Sequence, residues 1–64
     1  MPTFTLKAAR VNTGFSQKEA AKLIGVSNKT LSSWEKGKTV PNAKHVERLC
    51  SLYGRSYEEI IFLP

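Results

Sequence analysis

Apolar residues recur along this chain at helical spacing, in short segments separated by single glycines. The clearest segment holds Val46, Leu49, Cys50 and Tyr53, which occupy positions i, i+3, i+4 and i+7. That spacing aligns the side chains on one face of an α-helix. Over the whole chain, the pattern predicts five short helices and no strand, and therefore an all-α fold.

The first two predicted helices are bounded by residues that cap backbone groups. Helix 1 extends from an N-cap at about Thr5 to about Asn12. Gly14 ends it, because glycine adopts the left-handed backbone of a C-terminal cap without steric cost. Helix 2 opens with residues 16–19 (S-Q-K-E), a capping box in which serine and glutamate each satisfy a free backbone N–H. Gly25 ends this helix in the same way.

The last three predicted helices carry the same signals. Helix 3 lies between Ser27, a good N-cap, and Gly37. Helix 4 lies between a capping Asn42 and Gly54. A second capping box, residues 56–59 (S-Y-E-E), opens helix 5.

Helices 2 and 3 form the most informative unit, a helix-turn-helix over residues 17–36. Ala20 and Ala21 are small enough to let two helices approach closely, and Gly25 permits a sharp turn. A turn this short sets two helices at about 90–120° to each other. Helix 3 then presents a polar outer face without bulky apolar side chains, which consists of Asn28, Lys29, Ser32, Ser33 and Lys36.

The chain is basic, and its charge is uneven. Its 64 residues suffice for one domain, residues 1–64, with a net charge of +5. Residues 1–44 hold eight Lys and Arg against two Glu, whereas residues 45–64 hold two Arg against three Glu. Such a surface predicts a polyanionic partner, either nucleic acid or an anionic membrane. The membrane fits poorly, because no predicted helix pairs a long apolar face with a basic one.

Other classes of function lack the residues that they need. Cys50 is the only cysteine and His45 the only histidine, which leaves too few ligands for a structural zinc site. No nucleophile–base pair, carboxylate pair or glycine-rich phosphate loop is apparent, so the sequence predicts neither an enzyme nor a cofactor. With no long apolar run, we expect a soluble, cytoplasmic protein.

The outer face of helix 3 has the chemistry of a surface that reads the major groove of double-stranded DNA. An α-helix fits this groove, and its N-terminal side chains meet the base edges. Asn28 suits adenine and Lys29 suits guanine O6 and N7, while Ser32 and Ser33 are short enough to touch bases one turn later. Phosphate contacts are predicted at the start of helix 2 and around the loop after helix 3, from Gln17, Lys18, Lys36, Lys38, Asn42 and Lys44.

At these positions the chain resembles a known family, the lambda-repressor-like helix-turn-helix domains of the Cro/CI or xenobiotic-response-element (XRE) type. The resemblance covers about residues 5–61 and is carried by S-Q at 16–17, G-V-S at 25–27, W-E-x-G at 34–37 and the proline at 41. It implies a compact five-helix DNA-binding domain that acts as a phage-type or bacterial repressor. Three positions depart from the family pattern, namely Ala43, Tyr53 and Arg55.

The resemblance also implies roles for individual residues. Gln17 corresponds to a phosphate contact, and the base-reading positions are held by Asn28, Lys29 and Ser33. Arg10 and Glu35 correspond to the family's ion pair between helices 1 and 3. Both also lie on otherwise inward faces, where an unpaired charge is costly. We therefore expect these two side chains to meet and Glu35 to be structural.

Two alternatives remain open at the level of the sequence. The chain could instead be a protein-interaction module, such as an antitoxin subunit that masks a toxin, and helix 3 would then carry an apolar patch. Residues 61–63 (I-F-L) form the seam of a homodimer, close the core beneath helix 5, or contact a domain that is missing from this chain. A two-fold dimer would read a roughly palindromic operator with recognition helices one DNA turn apart, about 34–36 Å.

We expect Trp34 mainly in the core and His45 in solvent.

Overall fold

The computed structural model describes residues 4–62. Its elements, in chain order, are β1 (Phe4–Thr5), α1 (Leu6–Thr13), α2 (Gln17–Ile24), α3 (Asn28–Lys36), α4 (Ala43–Tyr53), a 3-10 turn (Tyr57–Glu59) and β2 (Ile60–Ile61). The four α-helices begin and end where the capping residues predict, to within one residue. No helix in this part of the chain is long and apolar enough to cross a membrane.

The predicted helix caps are confirmed by hydrogen bonds. The Thr5 hydroxyl accepts from the Ala8 N–H at 3.1 Å at the start of α1. At α2, Ser16 Oγ accepts from the Glu19 N–H at 3.1 Å, and the Glu19 carboxylate accepts from the Ser16 N–H at 3.0 Å. Each helix ends at a glycine with left-handed backbone angles. Local sequence therefore sets the helix boundaries.

The prediction of a fifth helix is not confirmed, and the prediction that no strand occurs is wrong. Residues 57–59 make a single 3-10 turn, in which the Glu59 carboxylate accepts from the Ser56 N–H at 3.0 Å. The chain then becomes extended and pairs in parallel with β1, with Phe4 opposite Ile60. The β-branched pair Ile60 and Ile61 favours a strand over a helix. The fold is thus four α-helices with a two-stranded parallel sheet that joins both ends of the described chain.

The core lies where all four helices meet, and its largest fully buried side chains are Ile24, Leu31 and Leu49. These residues come from α2, α3 and α4, so burial of this cluster fixes α3 against the rest of the molecule. Arg55, one of the departures from the family pattern, covers the edge of this core. Its guanidinium lies 4.2 Å from the centre of the Phe4 ring and 3.7 Å from Glu59.

Candidate nucleic-acid interface

The helix α3 separates its residues into a buried face and an open face. Leu31 and Trp34 are buried on the inner side, which confirms the prediction that Trp34 belongs mainly to the core. Asn28 and Lys29 are exposed in the first turn, and Ser32 and Ser33 are partly exposed one turn later. The four predicted base-reading side chains therefore lie on a surface that a ligand can reach.

The corner between α2 and α3 is held by close packing and by one arginine. Ala20 and Ala21 are buried, and Gly25 has a φ of +92°, in the left-handed region that favours glycine. Arg48 on α4 donates from Nη1 to the carbonyl oxygen of Ile24 at 3.1 Å, which satisfies a free acceptor at the end of α2. Sequence reasoning missed this role, because Arg48 lies 24 residues from its partner.

Arg10 and Glu35 are brought together between α1 and α3. Arg10 Nε donates to Glu35 Oε2 at 2.8 Å, and Nη2 lies 3.4 Å from Oε1. A third guanidinium nitrogen, Nη1, donates to the carbonyl oxygen of Phe15 at 2.9 Å. The two side chains are only 10% and 4% exposed, so each charge depends on the other for compensation.

Gln17 joins this network at the start of α2. Its Nε2 donates to Glu35 Oε1 at 3.0 Å, so the amide is tied to the ion pair and half-buried. The neighbouring Lys18 is exposed. The hydrogen bonds from the Ser16 N–H and hydroxyl hold the pKa of Glu19 below its usual value, so this carboxylate stays ionised beside the helix N-terminus. The start of α2 thus carries one ionised carboxylate and the exposed charge of Lys18.

The remaining predicted phosphate contacts lie around the loop between α3 and α4. Lys36, Lys38, Asn42 and Lys44 are all exposed. Asn42 also caps α4, since its Oδ1 accepts from the His45 N–H at 2.9 Å. The side-chain carbonyl is thus used within the protein, and only the amide N–H groups of Asn42 are left to meet a phosphate oxygen.

His45 is not the solvated residue that the sequence predicts. It is half-buried, and its ring lies 5.2 Å from the Trp34 ring, tilted by 44°. His45 lies in the first turn of α4 and Trp34 in the last turn of α3, so the two rings join these helix ends. This contact braces the end of α3 nearest the loop lysines.

Tyr53 is buried, as the apolar face of helix 4 predicts, but sequence reasoning did not foresee the surroundings of its hydroxyl. It is 4% exposed, and its hydroxyl has no hydrogen-bond partner among the described residues. Burial raises the pKa of Tyr53 to about 12, and the Glu35 carboxylate adds to the rise while Arg10 opposes it. The phenol therefore lies close enough to the ion pair to feel both charges.

An apolar groove runs along α4 on a different part of the surface. Its volume is about 630 Å³, and it is lined by Val40, Pro41, Ala43, Val46, Glu47, Cys50, Tyr57 and Phe62. Tyr57 and Phe62 stack at 5.4 Å between ring centres, and Tyr57 is 63% exposed. Of the predicted dimer seam, Ile61 is exposed and Phe62 half-buried, while Leu63 lies outside the described residues.

Within residues 4–62, no group of three or more His, Cys, Asp or Glu side chains is placed to hold a metal ion.

Comparison with known proteins agrees with this architecture. A helix-turn-helix family model matches residues 6–60. The HTH-type transcriptional regulator ImmR of Bacillus subtilis (strain 168) is 34% identical over 56 residues, which is 88% of this chain and 44% of ImmR. The uncharacterized HTH-type transcriptional regulator YgzD of the same organism is 28% identical over 58 residues, 91% of this chain and 88% of YgzD.

The chain thus spans less than half of the first relative and most of the second. The family match takes in α2, α3 and every helix that packs against them. It also includes the ion pair and the glycine turn that fix the position of α3. We conclude that the chain belongs to the XRE-type helix-turn-helix family of DNA-binding transcription regulators.

Proposed function

We propose that this protein binds double-stranded DNA in a sequence-specific way, with α3 in the major groove, and represses transcription from the site that it occupies. The observation that carries the proposal is the open polar face of α3 on a helix whose other face is anchored in the core. A rigid helix with short polar side chains on its outer face can enter a groove without distortion of its own domain.

In the proposed complex, Asn28 and Lys29 supply most of the discrimination between bases. The Asn28 amide donates to adenine N7 and accepts from the N6 amino group, while Lys29 donates to guanine O6 and N7. Each good contact of this kind is worth about 1–3 kcal/mol of discrimination. Ser32 and Ser33 contact bases or the thymine methyl group one turn further along.

The flanking polar residues position the protein on the phosphate backbone. Gln17 and Lys18 lie at the start of α2, and the second group, around the loop after α3, consists of Lys36, Lys38, Asn42 and Lys44. Contacts of this type fix register and supply salt-dependent affinity without a preference for sequence. Repression needs nothing further, since a protein bound across a promoter excludes other proteins from the same DNA.

We further propose that two copies bind a roughly palindromic operator as a two-fold dimer. The exposed Ile61 and the groove along α4 offer an apolar surface, most of it within residues 45–64, whose net charge is −1. Association there leaves α2 and α3 free for DNA, because no residue of either helix lines the groove. Sedimentation of the protein with a bound operator duplex measures the stoichiometry, and one copy per duplex at saturation would exclude the dimer.

The toxin-masking alternative finds less support. A masking surface needs apolar area, but the large apolar residues that are well exposed in the described chain are Val11, Leu23, Val40, Tyr57 and Ile61. None of these residues lies on α3. The polar face of α3 fits a nucleic acid better than an apolar protein surface.

Selection of bound duplexes from a random pool tests the proposal. We expect a consensus sequence with two half-sites related by a dyad and spaced by about one helical turn. Enrichment of a consensus without a dyad would support sequence-specific reading and refute the proposed two-fold dimer. No enrichment, with equal affinity for all duplexes, would refute sequence-specific reading.

A further inference from the structure

The apolar groove along α4 has the dimensions of a site for a small molecule. Its volume of about 630 Å³ lies within the range of roughly 300–1,000 Å³ in which the ligand pockets of proteins fall. Its walls come from three segments, namely the loop before α4, the helix itself and the last described residues. A ligand in this groove contacts no base-reading residue, so any effect on DNA binding is indirect.

Two stacked aromatic rings form part of the wall of the groove. The ring centres of Tyr57 and Phe62 are 5.4 Å apart, with 19° between the two planes. Tyr57 is 63% exposed, so a large part of its side chain is open to a ligand. An open aromatic ring binds another flat apolar group by stacking, and its face attracts a cation. The wall therefore favours a ligand with an aromatic body.

Glu47 is the one charged residue that lines the groove. Its side chain is exposed, and it forms no ion pair within residues 4–62. Lys44 and Arg48 share with Glu47 a separate concave site of about 340 Å³, but they do not line the groove. The groove thus presents one negative charge together with its aromatic wall, and a cation complements that charge.

The same charge makes the groove a weak seam for the proposed two-fold dimer. A two-fold axis brings identical surfaces together, so each copy contributes its own Glu47. Like charges that are brought close together weaken an interface, and no residue that lines the groove supplies a cation to pair with either carboxylate. A small ligand of the opposite charge can displace a second copy that is held weakly.

We propose that the groove binds an aromatic amine, and that this ligand displaces the second copy and thereby releases the operator. The ring of the amine packs on Tyr57 and against the apolar wall around Val46, and its ammonium group pairs with Glu47. The inference rests on the proposed function, because release of the operator requires that two copies bind it through this groove. Ligand and second copy exclude each other, so each lowers the apparent affinity for the other.

The first experiment measures the binding of two probes to the free protein. Phenethylamine and phenethyl alcohol share the same body and differ in the ammonium and the hydroxyl group. The backbone amide NMR signals of residues 43–62 report binding, and probes of this size should bind with a Kd on the order of 1 mM. Because an exposed ion pair contributes little, we expect the amine to bind about two- to fivefold more tightly than the alcohol.

Glu47→Gln tests the ion pair, and Glu58→Gln is its matched control, since Glu58 is also exposed and lies outside the groove. Both variants change the net charge of the protein by the same amount. Glu47→Gln should remove the preference for the amine, whereas Glu58→Gln should keep it. Tyr57→Ser should weaken the binding of both probes, and equal thermal midpoints verify that all three variants fold.

The second experiment adds a selected DNA duplex. At four times its Kd, phenethylamine should occupy about four fifths of the grooves. It should then lower the affinity of the wild type for the duplex, relative to ammonium chloride at the same concentration, about fivefold or more. Glu47→Gln should lose less affinity than the wild type, and Glu58→Gln should lose as much. Sedimentation should show fewer complexes with two copies when the amine is present.

The inference is overturned if the wild type binds both probes equally, or if the signals of the groove respond to neither probe. It is also overturned if the amine binds the groove but lowers operator affinity no more than ammonium chloride does. An operator complex with one copy per duplex would refute the proposed dimer and, with it, the release of the operator by the amine. A wild type that binds no duplex would refute the proposed function itself, while preferential binding of the amine would still support the ligand site.

Discussion

Replacement of Arg10 by Met should cost this protein much of its stability. The substitution removes the guanidinium that lies 2.8 Å from Glu35 Oε2 and leaves a carboxylate that is 4% exposed with Gln17 as its remaining partner. Removal of one partner from a buried ion pair costs about 3–5 kcal/mol. The carbonyl of Phe15 loses its donor in addition.

The expected loss is large beside the total. At about 0.05–0.15 kcal/mol per residue, a chain of this size has a free energy of unfolding of roughly 3–10 kcal/mol. If the free energy of unfolding lies near the lower limit, Arg10→Met should be mostly unfolded. If it lies near the upper limit, the variant should lose tens of degrees in thermal midpoint, at about 4–8 °C per kcal/mol. Urea unfolding followed by the fluorescence of Trp34, the only tryptophan and a buried one, measures the loss.

The double variant Arg10→Met, Glu35→Leu supplies the control. It removes both charges together, so no unpaired charge is buried, and we expect it to be more stable than Arg10→Met alone. The reasoning is refuted if the double variant is no more stable than that single variant, or if Arg10→Met costs less than about 1 kcal/mol.

Three further substitutions test separate parts of the structure. Tyr53→Phe removes a buried hydroxyl that has no partner among the described residues, and we expect urea unfolding to show a gain of about 1–3 kcal/mol. The fold raises the pKa of Tyr53 to about 12, so between about pH 10 and 12 the unfolded chain has released a proton that the folded chain keeps. Wild-type stability should therefore fall as the pH rises through this range, and the variant should lack this part of the fall. Gly25→Ala forces a side chain into a φ of +92° and should cost about 1–2 kcal/mol through the backbone alone, since the added Cβ meets only Arg48 Nη1 at 3.5 Å; a neutral result would contradict this. Arg48→Met keeps the apolar stem but removes the bond to the Ile24 carbonyl, and calorimetry should show a loss of about 1 kcal/mol, whereas an unchanged midpoint would mean that this cap contributes nothing.

The sequence predicts the helices well because their signals are local. The capping box at Ser16 and Glu19 and the glycine at position 25 act over a few residues, so the structure reproduces them. The two-stranded sheet escapes prediction for the opposite reason. Each strand has only two residues, too few to show a period, and Phe4 and Ile60 are 56 positions apart.

The candidate site divides along the same line. The open face of α3 follows from helical periodicity, which separates Asn28 and Lys29 from the buried Leu31. The supporting contacts do not follow from it, because they join distant segments. The bond from Arg48 to α2 depends on how the helices pack, and a single sequence carries no local mark of this contact.

The central claim is that the outer face of α3 reads base edges, and two lysine variants test it most directly. Lys29 lies on that face and Lys38 in the loop beyond it, and both are exposed. Competition binding at fixed salt, with a selected duplex against random duplex, gives the specificity ratio of each alanine variant. We predict that Lys29→Ala lowers this ratio and thereby reduces the free energy of discrimination by about 1–3 kcal/mol. Lys38→Ala should weaken binding to both duplexes equally and leave the ratio unchanged. Equal losses on both duplexes for Lys29→Ala would reduce Lys29 to a phosphate contact and contradict the account.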